Sequence, residues 1–400
     1  MNKVNRGSNI VAVGAYNERL VLSILRSKGA LSKVELTQET GLSKQTLTDV
    51  IGRLEASDLL LRGEPIRGRI GQPQVPFALN PDGAYSIGFK IGRKSYELVL
   101  MDFSGRILKW IRQHIDYPVP EAMTEFVTKG LQTIGAEFPA SRLDKCIGLG
   151  VAMPNELWRW GAEFDAPEDQ IERWHNFDVR NALEDVADMP VTIWNDVAAA
   201  CNGELNFGRG EKHSDFLYVY IGTFIGGGIV QNGKIVRGSR QNAGAIGSML
   251  VADQTGAANG KQLLSVASVI NLAHSLMKAR RDVSHIWNPE DDWSQIYDLV
   301  LPWVEQVSSH LAAACIGAAA IADVPQIVID GSMPEHVREL IVKSTDAHIR
   351  KRPTTGLLPF SVLPGTLGYS ARVIGAASLP MQARFAQDLE ALLKADPVGV

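Results

Sequence analysis

The stretch from Pro190 to Gly247 decides the fold. Its informative parts, in chain order, are Trp194-Asn195-Asp196-Val197-Ala198-Ala199, Tyr218-Val219-Tyr220-Ile221-Gly222-Thr223-Phe224-Ile225-Gly226-Gly227-Gly228-Ile229-Val230 and Asn242-Ala243-Gly244-Ala245-Ile246-Gly247. An apolar strand delivers Asn195 and Asp196 to its end, and a second strand runs into a glycine-rich hairpin. Backbone N–H groups in such a hairpin are bare enough to approach an anion. The stretch therefore predicts a ligand site built at strand ends.

Strands alternate with helices on both sides of this stretch. Before it, the pattern predicts strands over 85–91, 96–103, 146–151 and 191–194, with helices near 121–137 and 178–187. After it, the pattern predicts strands over 216–222, 226–230, 233–236 and 326–329, a helical stretch over 262–318 and a helix near 334–350. This alternation indicates an α/β layer fold. Each half opens with a hairpin and continues with helix–strand units, which predicts two similar lobes around a cleft.

The N-terminal region has a different pattern. A helix over 17–28 ends at Gly29, Ser32 and Glu35 form a capping box for a short second helix, and Ser43 caps a third helix that runs to about Ser57. Short strands over 59–62 and 75–79 enclose a basic loop rich in Gly and Pro. This order is typical of a winged helix-turn-helix.

The turn cluster Asn80-Pro81-Asp82-Gly83 is the strongest boundary signal. We predict a DNA-binding domain over 1–80, a small lobe over 81–200 and a large lobe over 201–379. A C-terminal helix near 380–400 is expected to return to the small lobe.

Composition limits the function classes. The chain has 400 residues, 45% of them apolar, and a net charge of −4. Residues 1–75 hold 11 Lys and Arg against 7 Asp and Glu, whereas the remainder holds 29 against 37, so only the head is expected to meet a polyanion. Three scattered cysteines indicate neither a disulfide nor a zinc framework. No segment approaches a membrane span and no signal peptide is evident, so a cytoplasmic protein without membrane contact is predicted.

Six landmarks in order resemble the ROK family, which groups sugar kinases with bacterial repressors of sugar genes. They are Gly68–Pro73 with Phe77–Asn80, Ile147–Pro154, Val191–Ala200, Gly222–Gly228, Ala243–Gly247 and Val328–Gly331. The head places the chain nearest to the NagC/XylR-type repressors. The resemblance implies a two-lobed, actin-like ATPase fold of the ribonuclease H-like kind behind the winged helix.

In the kinases of this family, the position of Asp196 holds the catalytic base, and Asn195 resembles a ligand of a sugar hydroxyl. A second interpretation makes Asp196 the N-cap of the helix that begins at Val197, and we expect both a ligand contact and a cap. The residues predicted to bind an effector are Asn195, Asp196, Asn155, Trp174, Asn176, Gly244 and Ala245.

Several kinase features are altered. The first phosphate hairpin of the kinases reads Asp-x-Gly-Gly-Thr-Lys, but here it reads Lys90-Ile91-Gly92-Arg93-Lys94-Ser95, so a cation replaces the acid that places the metal. Lys90, Arg93 and Lys94 are expected to be solvated at the hairpin tip. The alternative is that they bind an anion. The second hairpin, with Gly222, Thr223, Gly226, Gly227 and Gly228, is expected to be a vestigial phosphate loop that serves only the turn.

The sugar-binding positions are altered as well. Ala245, Ser248 and Leu264 stand where the family has Glu, His and Glu, and the zinc loop lacks Cys and His at 256–260. Neither a metal ion, nor a cofactor, nor catalysis is predicted. A plain glucose-like sugar is disfavoured, because the groups that pair with its hydroxyls are missing. A smaller, less polar or differently charged ligand, or none, remains open.

The third helix of the head carries the predicted DNA contacts. Gln and Lys suit adenine and guanine edges, and Ser and Thr suit phosphates. The predicted contacts are Ser43, Lys44, Gln45, Thr46, Thr48 and Arg53, with Arg67 and Arg69 of the wing reaching a minor groove.

The sequence thus predicts a transcriptional regulator, with repression favoured, that binds double-stranded operator DNA as a homodimer or homotetramer and senses a sugar-related small molecule. An active sugar kinase with a DNA-binding head is the first alternative. A regulator controlled by a protein partner, without a ligand, is the second.

Overall fold

In the computed structural model the N-terminal region folds into three helices and a small antiparallel sheet. The structure describes residues 10–66, 74–164, 166–208, 214–252 and 260–386, without the side chains of 10–12, 160 and 162–164. The elements of the head are α1 (Ile10–Lys28), β1 (Leu31–Ser32), α2 (Lys33–Thr40), α3 (Lys44–Ala56), β2 (Leu60–Arg62) and β3 (Pro76–Leu79). Strand β3 lies between β1 and β2. The short strand β1 was not predicted from the sequence.

The predicted caps set the helix starts of the head. Ser32 Oγ accepts a hydrogen bond from the Glu35 backbone N–H at 3.4 Å, and Glu35 Oε2 accepts one from the Ser32 N–H at 2.7 Å. Gly41, at φ 67°, ends α2 in the left-handed conformation that glycine adopts without strain. Ser43 Oγ accepts from the Thr46 N–H at 3.1 Å and starts α3. The capping predictions are confirmed.

The first half of the body contains one five-stranded mixed sheet. Its elements are β4 (Tyr85–Ile91), β5 (Ser95–Asp102), β6 (Ile107–His114), α4 (Pro120–Glu137), α5 (Ala140–Leu143), β7 (Cys146–Met153), α6 (Glu168–Ile171), α7 (Val179–Ala187), β8 (Val191–Asn195) and α8 (Asp196–Phe207). The strand order is β6-β5-β4-β7-β8. Strand β6 was not predicted, because this half-exposed edge strand carries polar residues that interrupt its apolar pattern.

The second half repeats this arrangement. Its elements are β9 (Phe216–Ile221), β10 (Ile225–Gln231), β11 (Lys234–Val236), β12 (Leu250–Val251), β13 (Lys261–Gln262), α9 (Val269–Lys278), α10 (Ser284–Trp287), α11 (Tyr297–Ala322), β14 (Gln326–Gly331), α12 (Glu335–Arg350), β15 (Ser361–Pro364) and α13 (Ala371–Phe385). The order β11-β10-β9-β14-β15 matches that of the first sheet, with an antiparallel meander followed by parallel strands. The prediction of two similar lobes is confirmed. The predicted helical stretch over 262–318 is in fact divided among α9, α10 and α11.

Helix α11 is the most apolar helix of the body. With the short turn before it, Ser294–Ala322 is long and apolar enough to span a membrane by length and composition, which the sequence analysis did not anticipate. Half of its most apolar window is buried within the protein, against residues such as Leu272 and Ile341 of the same core cluster. This is the arrangement of a core helix.

Helix α13 returns to the first sheet and packs closely against it. A Cβ atom on Gly150 of β7 would lie 1.8 Å from the carbonyl oxygen of Ala376, and one on Gly88 of β4 would lie 2.6 Å from that of Val373. On the other side of the helix, a Cβ atom on Gly375 would lie 1.8 Å from the carbonyl oxygen of Ala199 in α8. Glycines on three elements therefore let α13 lie at backbone contact distance between β4, β7 and α8.

The head and the first sheet share one apolar cluster. It joins Leu25 of α1 to Phe103, which follows β5, and to Met381 of α13. The ring of Phe385 at the end of α13 lies 4.9 Å from that of Phe103, edge-on. The head is thus packed onto the body through buried apolar contacts as well as through the chain connection.

Candidate ligand cleft and DNA interface

A large cleft opens where the two glycine-containing hairpins face the start of α8. Its volume is about 1070 Å³, and a side pocket of about 220 Å³ adjoins it. Asn155, Asn195 and Ala198 line both spaces, and Asp196 and Ala245 line the large one. The cleft therefore collects Asn155, Asn195, Asp196 and Ala245 of the residues predicted to bind an effector.

The N-cap of α8 is Asn195. Its Oδ1 accepts hydrogen bonds from the backbone N–H groups of Val197 at 3.1 Å and Ala198 at 3.2 Å. The prediction that Asp196 caps this helix is wrong by one residue, because the strand already ends at Asn195 and the side chain there reaches the open N–H groups. The carboxylate of Asp196 is left for another partner.

That partner is Arg372 in the first turn of α13. Arg372 Nη1 lies 3.5 Å from Asp196 Oδ2, and both side chains are almost completely buried. The guanidinium also lies 4.9 Å from the centre of the Tyr220 ring, on the central strand of the second sheet. Asp196 thus faces the cleft while a buried cation links it to α13.

Three of the seven predicted effector contacts line neither space: Gly244, whose neighbours Ala243 and Ala245 do line the large one, and Trp174 and Asn176. Trp174 is buried, and its Nε1–H donates to the Pro118 carbonyl at 2.9 Å, so its indole is satisfied inside the first lobe. Asn176 is exposed and lines neither space of the cleft. Trp174 and Asn176 therefore do not join Asn195 and Asp196 in the cleft, because Trp174 packs inside the first lobe and Asn176 lies on its surface.

The glycines of the second hairpin serve close packing more than turning. Gly226, Gly227 and Gly228 lie within β10, and a Cβ atom on Gly226 or Gly228 would lie 2.9 Å from Val197 or Cys201 of α8, respectively. Gly244, at φ 81°, approaches Gly228 so closely that a Cβ atom on it would lie 2.7 Å from the Gly228 Cα. The expectation that these residues serve only the turn is wrong, since Gly222 and Thr223 lie in the turn between β9 and β10 but the other three glycines lie within β10.

The altered first hairpin is buried. Lys90 is 2% exposed, donates to Ser95 Oγ at 2.9 Å and forms a short ion pair with Glu97, which also accepts from the Tyr369 hydroxyl. Burial lowers the pKa of Lys90 to about 8, and the positive charge of Arg372 adds to the shift. The prediction of solvated charges is therefore wrong for Lys90, and for Arg93, which is 8% exposed.

Arg93 connects the two hairpins. Its guanidinium lies 4.8 Å from the centre of the Phe224 ring, so a residue between β4 and β5 stacks on one between β9 and β10. Both residues line the cleft. The space between the hairpins is thus filled by side chains at this point.

The cleft has one stacked pair that the sequence analysis missed. Trp194 and Arg237 line the side pocket, and the Arg237 guanidinium lies 4.3 Å from the indole ring. Trp194 belongs to an apolar strand, and Arg237 follows β11 without a recognisable motif, so the local sequence did not predict that either residue lines a pocket. Among the residues that the structure describes, no three His, Cys, Asp or Glu side chains are grouped as metal ligands, and 253–259 of the expected zinc-loop region lie outside them.

The predicted DNA interface lies on the first half of α3. Lys44, Gln45 and Thr48 are exposed, whereas Leu47 and Ile51 on the opposite side of the helix are buried. Gln45 Nε2 donates a hydrogen bond to Asp49 Oδ1 at 3.0 Å, and the hydroxyl groups of Ser43 and Thr46 are hydrogen-bonded to each other at 2.9 Å. These contacts hold the side chains in place.

Arg53, at the other end of α3, is less available for a DNA contact than the residues of the first turn. Its Nε lies 2.5 Å from Glu18 Oε1 of α1. The predicted wing contacts Arg67 and Arg69, like the landmark Gly68–Pro73, lie outside the described residues.

Together, the winged head and the two repeated sheets around a cleft define a DNA-binding protein with a kinase-like body. The sequence profile of winged helix-turn-helix DNA-binding domains matches residues 15–60, and the ROK family profile matches residues 86–383. The chain belongs to the ROK family.

Among its relatives is the xylose repressor of Bacillus spizizenii, 23% identical over 378 residues, which cover 92% of this chain and 96% of that protein. The DNA-binding transcriptional dual regulator NagC of Escherichia coli is 23% identical over 247 residues, 61% of this chain and 59% of NagC.

Two solved structures share the fold. The ROK family transcriptional regulator described as a homolog of the E. coli MLC protein superposes with a TM-score of 0.67 at 18% identity, covering 96% of this chain and all of that one. The ROK family glucokinase from Streptomyces griseus, solved with glucose and AMPPNP, superposes with a TM-score of 0.58 at 20% identity, covering 75% of this chain and all of that one.

Proposed function

We propose that the protein is a sugar-responsive transcriptional repressor of carbohydrate genes that binds operator DNA through α3 and an effector in the cleft at Asn195 and Asp196. The proposal rests on the position of α13, which contacts both the cleft and the head. Its first turn holds Arg372 against Asp196 in the cleft, and its last turns lie in the apolar cluster that includes α1 of the head. A ligand that binds two lobe arrangements differently would thus alter the position of the head.

The alternative of an active sugar kinase is not supported by the geometry. Lys90 stands where the kinases of the family have an acid, and it is neutralised inside the protein by Glu97. Arg93 and Phe224 fill the space between the two hairpins. Because phosphoryl transfer depends on a metal and on phosphate positioning, we propose that the chain is not an enzyme.

The assembly belongs to the same proposal. We propose the domain limits 1–80, 81–200 and 201–379, with α13 assigned to the small lobe on which it packs, and a cytoplasmic homodimer or homotetramer. Two heads are needed because half-sites lie about 34 Å apart or at a multiple of it.

Gel shifts with the purified protein and its own upstream DNA test the proposal. We expect sequence-selective binding that competitor DNA of scrambled sequence does not remove, and weaker binding with one sugar of a panel of pentoses, hexoses and their N-acetylamino derivatives. Absence of selective binding contradicts the repressor, and ADP release on mixing a sugar with ATP would support the kinase instead.

Replacing Asp196 by Asn should separate sensing from DNA binding. The amide keeps the size of the side chain but loses the charge that accepts from a sugar hydroxyl, so the sugar concentration for half-release from the operator should rise about tenfold or more. Operator affinity without sugar should change less than the sugar response, because Asp196 reaches the head only indirectly, through Arg372 and α13. Asp185→Asn on the exposed face of α7 is the control, and an unchanged sugar response in Asp196→Asn contradicts the assignment.

The connection through α13 predicts that sugar affinity and the effect of sugar on operator affinity can be changed independently. Phe385→Ala removes the ring that packs on Phe103 and should leave sugar affinity unchanged while reducing the ratio of operator affinities without and with sugar by about threefold or more. Isothermal titration with the sugar and gel shifts measure the two quantities separately. Gln382→Ala on the same helix is the control, and an unaltered ratio in Phe385→Ala argues against α13 as the connection.

A further inference from the structure

The side pocket beside the cleft holds a cation in a fixed position. Among the described residues that line it, the basic one is Arg237, whose guanidinium lies 4.3 Å from the centre of the Trp194 ring. Arg237 Nη2 donates a hydrogen bond to Gln241 Oε1 at 2.6 Å. The arginine is nevertheless exposed, so the N–H groups that Gln241 does not use can reach a ligand.

The loop that follows Arg237 is closed by backbone hydrogen bonds. The Ala243 N–H donates to the Arg237 carbonyl at 3.2 Å, and the Gln241 N–H donates to the Gly238 carbonyl at 3.2 Å. Gln241 has a φ of 58°, a left-handed conformation that residues other than glycine rarely adopt. Such strain persists where the surrounding structure enforces it, and it is concentrated at ligand sites. The loop therefore holds the arginine in one geometry before a ligand binds, which lowers the entropy cost of binding.

The charge of Arg237 has no counter-charge in the described part of the protein. The two acids that line the cleft each have an arginine of their own, since Glu156 Oε2 lies 3.4 Å from Arg159 Nη1 and Asp196 Oδ2 lies 3.5 Å from Arg372 Nη1. Arg237 forms no ion pair with a described residue, and its hydrogen-bond acceptor is a neutral amide. The side pocket is thus suited to a ligand group with a negative charge.

The size and the walls of the side pocket favour a carboxylate. Its volume of about 220 Å³ far exceeds the roughly 15 Å³ that one water molecule needs, so a carboxylate fits together with the carbon atoms beside it. One planar guanidinium matches a carboxylate in charge and in its paired donors. No second cation among the described lining residues balances the further charge of a phosphate. The side-chain amides of Asn155 and Asn195 line the same pocket and can pair with hydroxyl groups next to the carboxylate.

We propose that Arg237 binds the carboxylate of a sugar acid, a uronic or an aldonic acid, in the side pocket. The part of the molecule that carries the hydroxyl groups lies beside Asn195 and Asp196, because Asn195 lines both spaces and one ligand can occupy the two together. The inference rests on the proposed effector role of the cleft and narrows the effector to this class. A neutral sugar and a phosphorylated sugar are the competing ligands that the test must separate from it.

Isothermal titration of the full chain tests the ligand class. The ligands are glucuronate, galacturonate, gluconate and xylonate, with glucose, galactose, xylose and glucose 6-phosphate for comparison. We expect one acid to bind at least about tenfold more tightly than its neutral parent sugar and than glucose 6-phosphate, the gain expected for a charge-assisted hydrogen bond. The amide of that acid is the matched ligand, because it keeps the shape and loses the charge, and it should bind about tenfold more weakly or worse.

Variants of Arg237 make the test specific. Arg237→Gln should bring the affinities for the acid and its amide to within about threefold of each other, and Arg237→Lys should keep part of the difference because it keeps the charge without the paired donors. Lys234→Gln is the control, since this exposed residue at the start of β11 loses the same charge but does not line the pocket. It should keep the full preference for the acid. Circular dichroism and thermal unfolding confirm that each variant is folded.

Three results would overturn the inference. They are an absence of binding by every acid of the panel, affinity for the amide or for glucose 6-phosphate equal to that for the acid, and a preference for the acid that survives in Arg237→Gln. Gel shifts on the same preparations keep this inference apart from the repressor proposal. Selective operator binding without a preference for an acid rejects only the carboxylate site, whereas preferred binding of an acid without selective operator binding rejects the repressor.

Discussion

Gly375→Ala should lower the free energy of unfolding by about 3 kcal/mol, the upper range for forcing extra volume into a packed interior. The new methyl group would lie 1.8 Å from the Ala199 carbonyl oxygen and 2.4 Å from its carbonyl carbon, and both atoms belong to the backbone of α8. Alanine gains about 1 kcal/mol over glycine in a helix interior, which is too little to offset the clash. Because α13 also packs on the first sheet, separating it from α8 should weaken both contacts.

Urea unfolding followed by circular dichroism measures this effect. Gly135→Ala in α4 is a matched control, because this glycine is also inside a helix and nothing lies within 4 Å of its added Cβ atom. It should stabilise the protein by about 0.5–1 kcal/mol from helix propensity alone. If Gly375→Ala is as stable as Gly135→Ala, α8 and α13 do not approach as closely as described.

Lys44→Ala and Gln45→Ala should each reduce affinity for the operator about ten- to hundredfold, the loss expected for one specific base contact. Both side chains are exposed in the first turn of α3, and the helix below them is anchored by buried Leu47 and Val50, so neither change should unfold the head. Fluorescence anisotropy with labelled operator, repeated over a range of salt concentrations, measures affinity and its salt dependence.

The salt dependence separates the kinds of contact. If Lys44 contacts a phosphate instead of a base, its replacement should weaken binding to all sequences equally and reduce the salt slope by about one. Arg53→Ala should have a smaller effect, since Arg53 is paired with Glu18. Lys129→Ala, exposed on α4 of the body, is the control, and an equal loss in this variant would place the DNA contacts outside α3.

Local patterns predicted most elements of the fold. The capping box at Ser32, the N-cap at Ser43 and the apolar strands depend on a few neighbours along the chain, so both caps and the strand over 85–91 could be located without tertiary contacts. Elements whose residues are held mainly by distant partners were missed. Strand β15, for example, pairs in parallel with β14, 35 residues earlier in register. The C-terminal helix was predicted near 380–400, but α13 already begins at Ala371, where it lies on strands formed more than 200 residues before it.

The features of the candidate site also fall into those that the local sequence predicts and those that depend on tertiary contacts. The sequence by itself determined that Asn195 and Asp196 end a strand at the start of a helix, and that a lysine stands in the first phosphate hairpin. Only the tertiary structure decided that Asn195 is the cap, that Arg372 faces Asp196 across 176 positions of the chain, and that Trp174 is satisfied by Pro118 inside the core. The reason is physical. Backbone capping and strand formation depend on adjacent residues, whereas the partner of a buried charge is chosen by which elements the topology packs together.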